Sequence, residues 1–238
     1  MKGWNWDGFW GYFLNAYLLE GALVTIILTV VALVLGLIVG LALAVMRMSS
    51  YRALSLIAQG YTWIFRGTPL LVQLVIIYTG LPQIHDSLRL DVTQSAVIGL
   101  VLNESAYLSE IIRAGIASVA KGQSEAALSL GLSRWRNFRL VVLPQAMRVI
   151  IPPLGNSVNG LLKATSIVSV ISMEELMRRG QILMQERFQV LEIFVVVAVL
   201  YLVMTTAWEL VQRRIETYYG RGYGEAKLKL RTPARDDR

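Results

Sequence analysis

Asn103, Glu104, Tyr107 and Glu110 fall together in one stretch of a chain whose long runs are otherwise apolar. Gln73, Asn159 and Lys163 place two amides and an ammonium in other apolar runs. Carboxylate, amide and ammonium groups suit ion pairs and hydrogen bonds, either within the protein or to a polar ligand. Covalent chemistry is poorly served. The chain has no cysteine, which excludes disulfides, thiolate metal sites and cysteine nucleophiles, and its one histidine, His85, reads as a loop residue.

The elements that carry these groups belong in a membrane. The 238 residues are 55% apolar and 16% charged, against about 25% charged in soluble domains, so water cannot be faced all round. The chain reads as an all-α polytopic membrane protein. Its net charge of +7 does not indicate nucleic acid, because the basic residues sit between and after the apolar runs, where membrane topology puts them. Residues 1–20 carry Trp4, Trp6, Phe9, Trp10, Tyr12 and Phe13 with little positive charge. They read as an amphipathic aromatic leader on the outer surface, not as a cleavable signal peptide.

Five transmembrane helices follow. Residues 22–46 make 25 residues, about 37 Å of helix; Gly36 and Gly40 there either admit a close helix neighbour or face lipid. The second run, near 54–81, is interrupted by Phe65-Arg66-Gly67-Thr68-Pro69. Too few apolar residues follow Pro69 to span, so that helix must start before Arg66 and bend or break. An arginine this deep is costly unless paired or watered, so Arg66 and Pro69 are assigned structural or gating roles rather than contact with a ligand. The third run, near 93–114, puts Asn103, Tyr107 and Glu110 on one face with Glu104 one position round. That face must look into protein or a wet cavity, and Glu110 with Arg113 reads as a structural pair near the helix end. The fourth, after Pro144, is expected to break early at Pro152, Pro153 and Gly155 and carries Asn156, Asn159 and Lys163. The fifth runs near 190–210.

An odd number of spans separates the termini. With the N-terminus outside and the C-terminus in the cytoplasm, only Lys2, Arg89, Arg178, Arg179 and Arg187 fall outside, and most other basic residues fall inside. The expected organisation is a leader at 1–20, a transmembrane domain at 21–215 with a cytoplasmic loop near 115–144, and a basic, disordered tail at 216–238. No internal repeat is evident, which argues against a complete inverted-repeat transporter in one chain.

The loop is the longest polar interruption. Ser124 can cap a helix with Glu125 in its first turn, Ala126 and Ala127 continue it, and Gly131 ends it. A second short helix is expected from Ser133 to Leu143, stopping at Pro144. Two short helices on a glycine turn make a compact knob, with a small-residue tip and flanks of Arg134, Arg136 and Arg139, shaped for a groove on another protein. The plainer alternative is a solvated amphipathic connector.

The spacing is specific: Glu125-Ala126-Ala127, three residues, Gly131, nine residues, then Val141-Val142-Leu143-Pro144. It resembles the signature cytoplasmic loop of the membrane subunits of ATP-binding-cassette importers. Four other stretches look like the polar amino acid uptake branch, the histidine, glutamine and arginine permeases. They are Leu19-Glu20-Gly21-Ala22-Leu23-Val24-Thr25, Phe65-Arg66-Gly67-Thr68-Pro69-Leu70, Ser105-Ala106-Tyr107-Leu108-Ser109-Glu110-Ile111-Ile112-Arg113 and Ile151-Pro152-Pro153-Leu154-Gly155-Asn156. The likeness extends through Leu161-Leu162-Lys163-Ala164-Thr165-Ser166. Ala164 departs from the branch, which usually has an acid there, so Lys163 lacks that neighbouring carboxylate.

The resemblance implies a type I-like importer fold in a bacterial inner membrane. It also implies a second permease subunit (identical or homologous), two cytoplasmic ATPase subunits and an outer amino-acid-binding protein. Glu125, Ala126, Ala127, Gly131, Arg134, Arg136, Leu143 and Pro144 would then couple to the ATPase. The chain has no Gly-xxxx-Gly-Lys-Ser/Thr phosphate loop, so ATP and magnesium are expected on the partner, and no cofactor on this chain. The cargo site is expected at Asn103, Glu104 and Asn159, with Gln73 and Lys163 behind them. Glu104 either holds an ammonium or pairs with Lys163 or Arg66 to lock the bundle. Competing readings are an ion-coupled secondary amino acid transporter using Glu104, Glu110 and Lys163, and a membrane scaffold that transports nothing.

Overall fold

The computed structural model describes residues 4–229. Among them every regular element is helical. Asn5 caps a short aromatic helix, α1 (Trp6–Phe13), its side chain accepting from Gly8 N at 2.9 Å. Asn15 caps α2 (Ala16–Arg47) in the same manner, accepting from Tyr17 N at 2.9 Å. Each cap satisfies one of the free N–H groups of its first turn. Along α2, Leu18, Gly21, Thr25, Leu28, Ala32, Gly36, Gly40 and Leu43 are buried, while Leu23, Ile27, Val30, Val34, Ile38 and Val45 point out. A helix apolar on both faces with one face unpartnered is a lipid-facing span.

The second apolar run is broken. α3 (Arg52–Gly67) ends before Pro69, and the chain restarts as α4 (Leu70–Val75), a π turn (Ile76–Gly80) and α5 (Leu81–Ile84), at 104° to α3. Asp91 opens α6 (Val92–Ala117) with a capping box to Gln94. α6 packs along α2, and a Cβ added at Gly40 would lie 3.0 Å from Leu108 Cβ and 3.1 Å from Ser105 O. The Gly36/Gly40 pair therefore serves helix contact, and its lipid-facing alternative falls.

After α7 (Lys121–Ser129) and α8 (Arg134–Asn137), a π turn (Phe138–Val142) runs straight into α9 (Leu143–Ala164) and a 3-10 turn (Thr165–Ile171). Two sequence expectations fail here. Pro144 does not stop a helix, because it follows the π turn, whose shifted register relieves the ring's clash with the preceding turn. Pro152 and Pro153 do not break α9 either. α11 (Val190–Lys229) lies beside them, Trp208 Nε1 donating to Gly155 O at 2.8 Å and Gln212 Nε2 to Pro152 O at 3.5 Å. Before it comes α10 (Leu176–Arg187), bounded by left-handed Ser172 (φ 68°) and Phe188 (φ 54°). α11 also passes residue 216, where the sequence placed a disordered tail; residues 230–238 lie outside the described residues.

Four helical stretches are long and apolar enough to cross a membrane, Ala16–Arg47, Val92–Ala117, Arg134–Ile171 and Val190–Tyr219, and the bent pair around Pro69 makes five. One core, around Leu28, Ala32, Leu74, Leu100 and Val168, joins α2, α4, α6 and the 3-10 turn. The other, around Leu18, Leu176, Leu183, Ile193 and Val196, ties α10 to the starts of α2 and α11. There the fully buried Glu175 caps α10, accepting from Arg178 N at 2.9 Å, Tyr201 Oη at 2.7 Å and Thr25 Oγ1 at 3.3 Å. Burial raises its carboxyl above the ordinary carboxylate range.

Candidate functional site

The break at Pro69 leaves the last carbonyls of α3 without intrahelical partners. Gln73 supplies them: its Nε2 donates to Phe65 O at 3.0 Å, Thr68 O at 3.1 Å and Thr68 Oγ1 at 2.9 Å. Asn103 Nδ2, from α6, donates to Phe65 O at 3.2 Å and to Gln73 Oε1 at 3.0 Å. Two residues expected to meet cargo thus have their amides engaged in holding the broken helix open. Arg66 remains on the exposed side, its guanidinium 5.5 Å above the Tyr107 ring. Tyr61 locks the crossing by donating to Leu102 O at 2.9 Å and meeting Ser105 Oγ at 2.8 Å.

Glu104 is buried where α2, α6 and α9 meet. Ser157 donates to its Oε1, and a Cβ at Gly36 would lie 3.5 Å from its Cγ. Among the described residues neither Lys163 nor Arg66 forms an ion pair with it; those pairs are Arg47–Glu110, Arg113–Glu110, Arg89–Asp86 and Arg179–Glu20. The sequence alternative of a Glu104 lock to either cation is therefore not what the fold builds. Asn159 and Lys163 lie further along α9. Asn159 Nδ2 donates to Glu209 Oε1 of α11 at 3.3 Å, while its Oδ1 is buried with no partner. Lys163 is exposed at the mouth of a cavity of about 320 Å³ shared with Ser166, Met177 and Tyr201.

Glu110 sits between two arginines. It bonds Arg113 of its own helix, as the sequence suggested, and also Arg47 at the end of α2. The Arg47 partner was not assigned from sequence, where that residue only closed a span. Its signal was a carboxylate two turns before the end of α6, in a chain with few acids to spare. Arg47, Glu110 and Arg66 line an open cavity of about 760 Å³ together with Gln59 and Trp63.

The ends of α2 and α6 meet at this cluster, and α6 leads directly into α7 and α8. Leu132 N donates to Ala127 O at 3.2 Å and Gly131 N to Leu128 O at 2.9 Å, with Gly131 left-handed at φ 85°. This is the two-bond helix stop that glycine favours. The expected knob is present, with three differences. α7 begins at Lys121 after Ala120, so Ser124 is inside the helix rather than its cap. Ser124 is instead bonded by Asn137 Nδ2, a buried residue of α8 that the sequence reading passed over, and this bond joins the two helices. The tip is not made of small residues: Ala127 is buried, while Leu130 is 82% and Trp135 68% exposed. Glu125, Ala126, Arg134, Arg136 and Pro144 are exposed around them, and Leu143 is half-buried. An exposed leucine and tryptophan ringed by charge is how a docking patch is composed.

From residue 32 to residue 218 the sequence matches the family described as binding-protein-dependent transport system inner membrane component. The chain belongs to that family. It is 39% identical over 233 residues to the arginine transport system permease protein of Corynebacterium glutamicum, covering 93% of this chain and 74% of that one. The glutamine transport system permease protein of Escherichia coli is 44% identical over 153 residues, 64% of this chain and 70% of its own length. A crystal structure of an amino acid ABC transporter with histidines superposes with a TM-score of 0.80 at 39% identity, covering 85% of this chain and 94% of that one. The MetNI methionine ABC transporter shares the fold alone, with a TM-score of 0.67 at 18% identity over 91% of this chain and 99% of that one. The fold is that of ABC importer membrane subunits.

Proposed function

We propose that this chain is the permease subunit of an ATP-driven, binding-protein-dependent importer of polar amino acids in a bacterial inner membrane. The observation that carries this reading is the knob. Its apolar tip at Leu130 and Trp135 is held rigid by the Gly131 stop and the Ser124–Asn137 bond, at the end of α6. An ATPase subunit receives the knob, and ATP and magnesium bind there rather than on this chain. A second permease subunit, identical or homologous, completes the pathway, and an extracytoplasmic amino-acid-binding protein delivers the cargo. The distribution of basic residues supports a cytoplasmic knob and an outer α1.

Hydrolysis moves the docked knob, and α6 carries that movement to Glu110, Asn103 and the broken helix as alternating access. Cargo meets Lys163, whose exposed ammonium faces the α-carboxylate, and Asn159, one turn before it on α9, is the second contact. Glu104, Asn103 and Gln73 position that path from behind. Relatives named for glutamine and arginine support a polar amino acid as cargo. The test is ATPase activity of the reconstituted complex across the amino acids, with the cognate binding protein present. Stimulation confined to one or a few polar amino acids is expected; stimulation by none of them overturns the cargo class.

A further inference from the structure

The short helix α1 has no part in the coupling path, yet it is fixed at two points. Asn5 N donates to Glu192 Oε1 at 3.0 Å, and Tyr12 Oη donates to Gln189 Oε1 at 2.7 Å. Both acceptors stand at the start of α11, one span, and Asn15 opens α2, another. α1 is thereby held at the level where two spans enter the bilayer from the same side. Phe9, Tyr12 and Phe13 pack inward on the Leu183–Ile193–Val196 core. Trp6 and Trp10, one turn apart, are each 62% exposed, and Leu14 is 82% exposed.

These exposed groups continue a surface that already faces lipid. Leu14 leads into the outward Leu19, Leu23 and Ile26 of α2, while Tyr12 and Gln189 bring α1 beside the exposed Phe188 and Leu191. Gly11 lies 100° round the helix from Trp10, and a Cβ built there meets nothing within 4 Å. Tryptophan favours the headgroup level, where its ring is desolvated while its N–H stays wet.

We propose that α1 is a bilayer-interface helix. Trp6, Trp10 and Leu14 insert at the headgroup–acyl boundary of the leaflet in which α2 begins, and the Gly11 side stays in water. α1 thereby clamps the starts of α2 and α11, and with them α10, at a fixed depth. The insertion is driven by aromatic burial, since no basic residue lies within α1; it therefore needs no anionic lipid.

The chain has no cysteine, so W10C, L14C and G11C each give a single site for a nitroxide label in the full complex, reconstituted in phosphatidylcholine vesicles. Collision with oxygen, which concentrates in lipid, is compared with collision by a water-soluble nickel chelate. Positions 10 and 14 are expected to favour oxygen several-fold over position 11. The ordering should persist when one fifth of the lipid is replaced by phosphatidylglycerol and when the binding protein is added at saturation. Equal nickel access at all three positions overturns the proposal. So does protection of positions 10 and 14 only when the binding protein is present, which marks a protein-docking face. If W10C assembles poorly, W6C takes its place, since Trp6 is equally exposed and about 140° round the helix from Gly11.

Discussion

Arg47, the last residue of α2, is ion-paired with Glu110 of α6, and Arg113 bonds the other oxygen of the same carboxylate. Glu110 thus joins a lipid-facing span to the helix whose end carries the knob. The three side chains are partly exposed, Arg47 and Glu110 on the wall of an open cavity, so their worth is in geometry more than in stability. Arg47→Glu should leave the knob folded but free α2 from the stroke of α6. The expected result is retained ATPase binding with uptake reduced at least tenfold, partly restored by Arg47→Glu combined with Glu110→Arg. Uptake kinetics equal to wild type in the single variant contradict the strut.

At the knob, Leu130→Asp and Trp135→Ala remove the exposed apolar contacts without touching its internal bonds. Loss of one central aromatic anchor costs about 2 kcal/mol or more, roughly a thirty-fold weaker association. Pull-down of the ATPase with the permease in detergent measures it. Gly131→Ala provides the contrast. The site is open to a Cβ but left-handed, so the cost is backbone strain of about 1–2 kcal/mol, read as local protection loss by hydrogen exchange in residues 126–132. Unchanged association in both tip variants places the docking surface elsewhere.

Gln73 and Lys163 separate scaffolding from cargo contact. Gln73→Leu uncaps the end of α3, and each carbonyl left unsatisfied costs about 1–3 kcal/mol. A lower unfolding temperature is expected. Lys163→Ala should leave that temperature unchanged and, like Asn159→Ala, raise the substrate concentration for half-maximal uptake about tenfold or more. The reverse pattern would return Gln73 to the cargo site and remove Lys163 from it.

Glu175 gives the stability of the complex a pH dependence. Its carboxyl is raised in the folded chain by burial, so the folded state holds the proton more tightly than the unfolded one. Its contribution is fully present below the ordinary carboxylate value of about 4.3 and is lost as pH rises through the raised value. Glu175→Gln cannot ionise and keeps one acceptor oxygen, for either the Arg178 N–H or the Thr25 and Tyr201 hydroxyls, so the slope with pH rather than the absolute temperature is compared. Unfolding temperature measured upward from about pH 4 should therefore fall more for wild type than for the variant; parallel curves would show that Glu175 does not titrate in this window.

The spans and the knob were legible because apolar runs and glycine–proline punctuation are local signals. The break at Pro69 was legible as well, since too few apolar residues follow it. What misled was proline read alone: Pro144, Pro152 and Pro153 lie in continuous helix, the first directly after a π turn and the other two beside α11. The α11 contacts come from residues far along the chain. The same holds for Asn103 and Gln73, whose polarity was visible but whose bonds to the carbonyl of Phe65 are not. Trp135 and Leu130 were overlooked because an apolar residue in a polar loop looks like local packing until its exposure is known.

The central claim is that work enters through the knob from ATP hydrolysed elsewhere. The direct measurement is uptake of the cognate amino acid into vesicles holding this permease, its ATPase and trapped ATP, with the binding protein outside and no ion gradient. Uptake should require ATP and the ATPase, and fall to background with Leu130→Asp. Gradient-driven uptake by the permease chains alone, without ATPase or nucleotide, would contradict it.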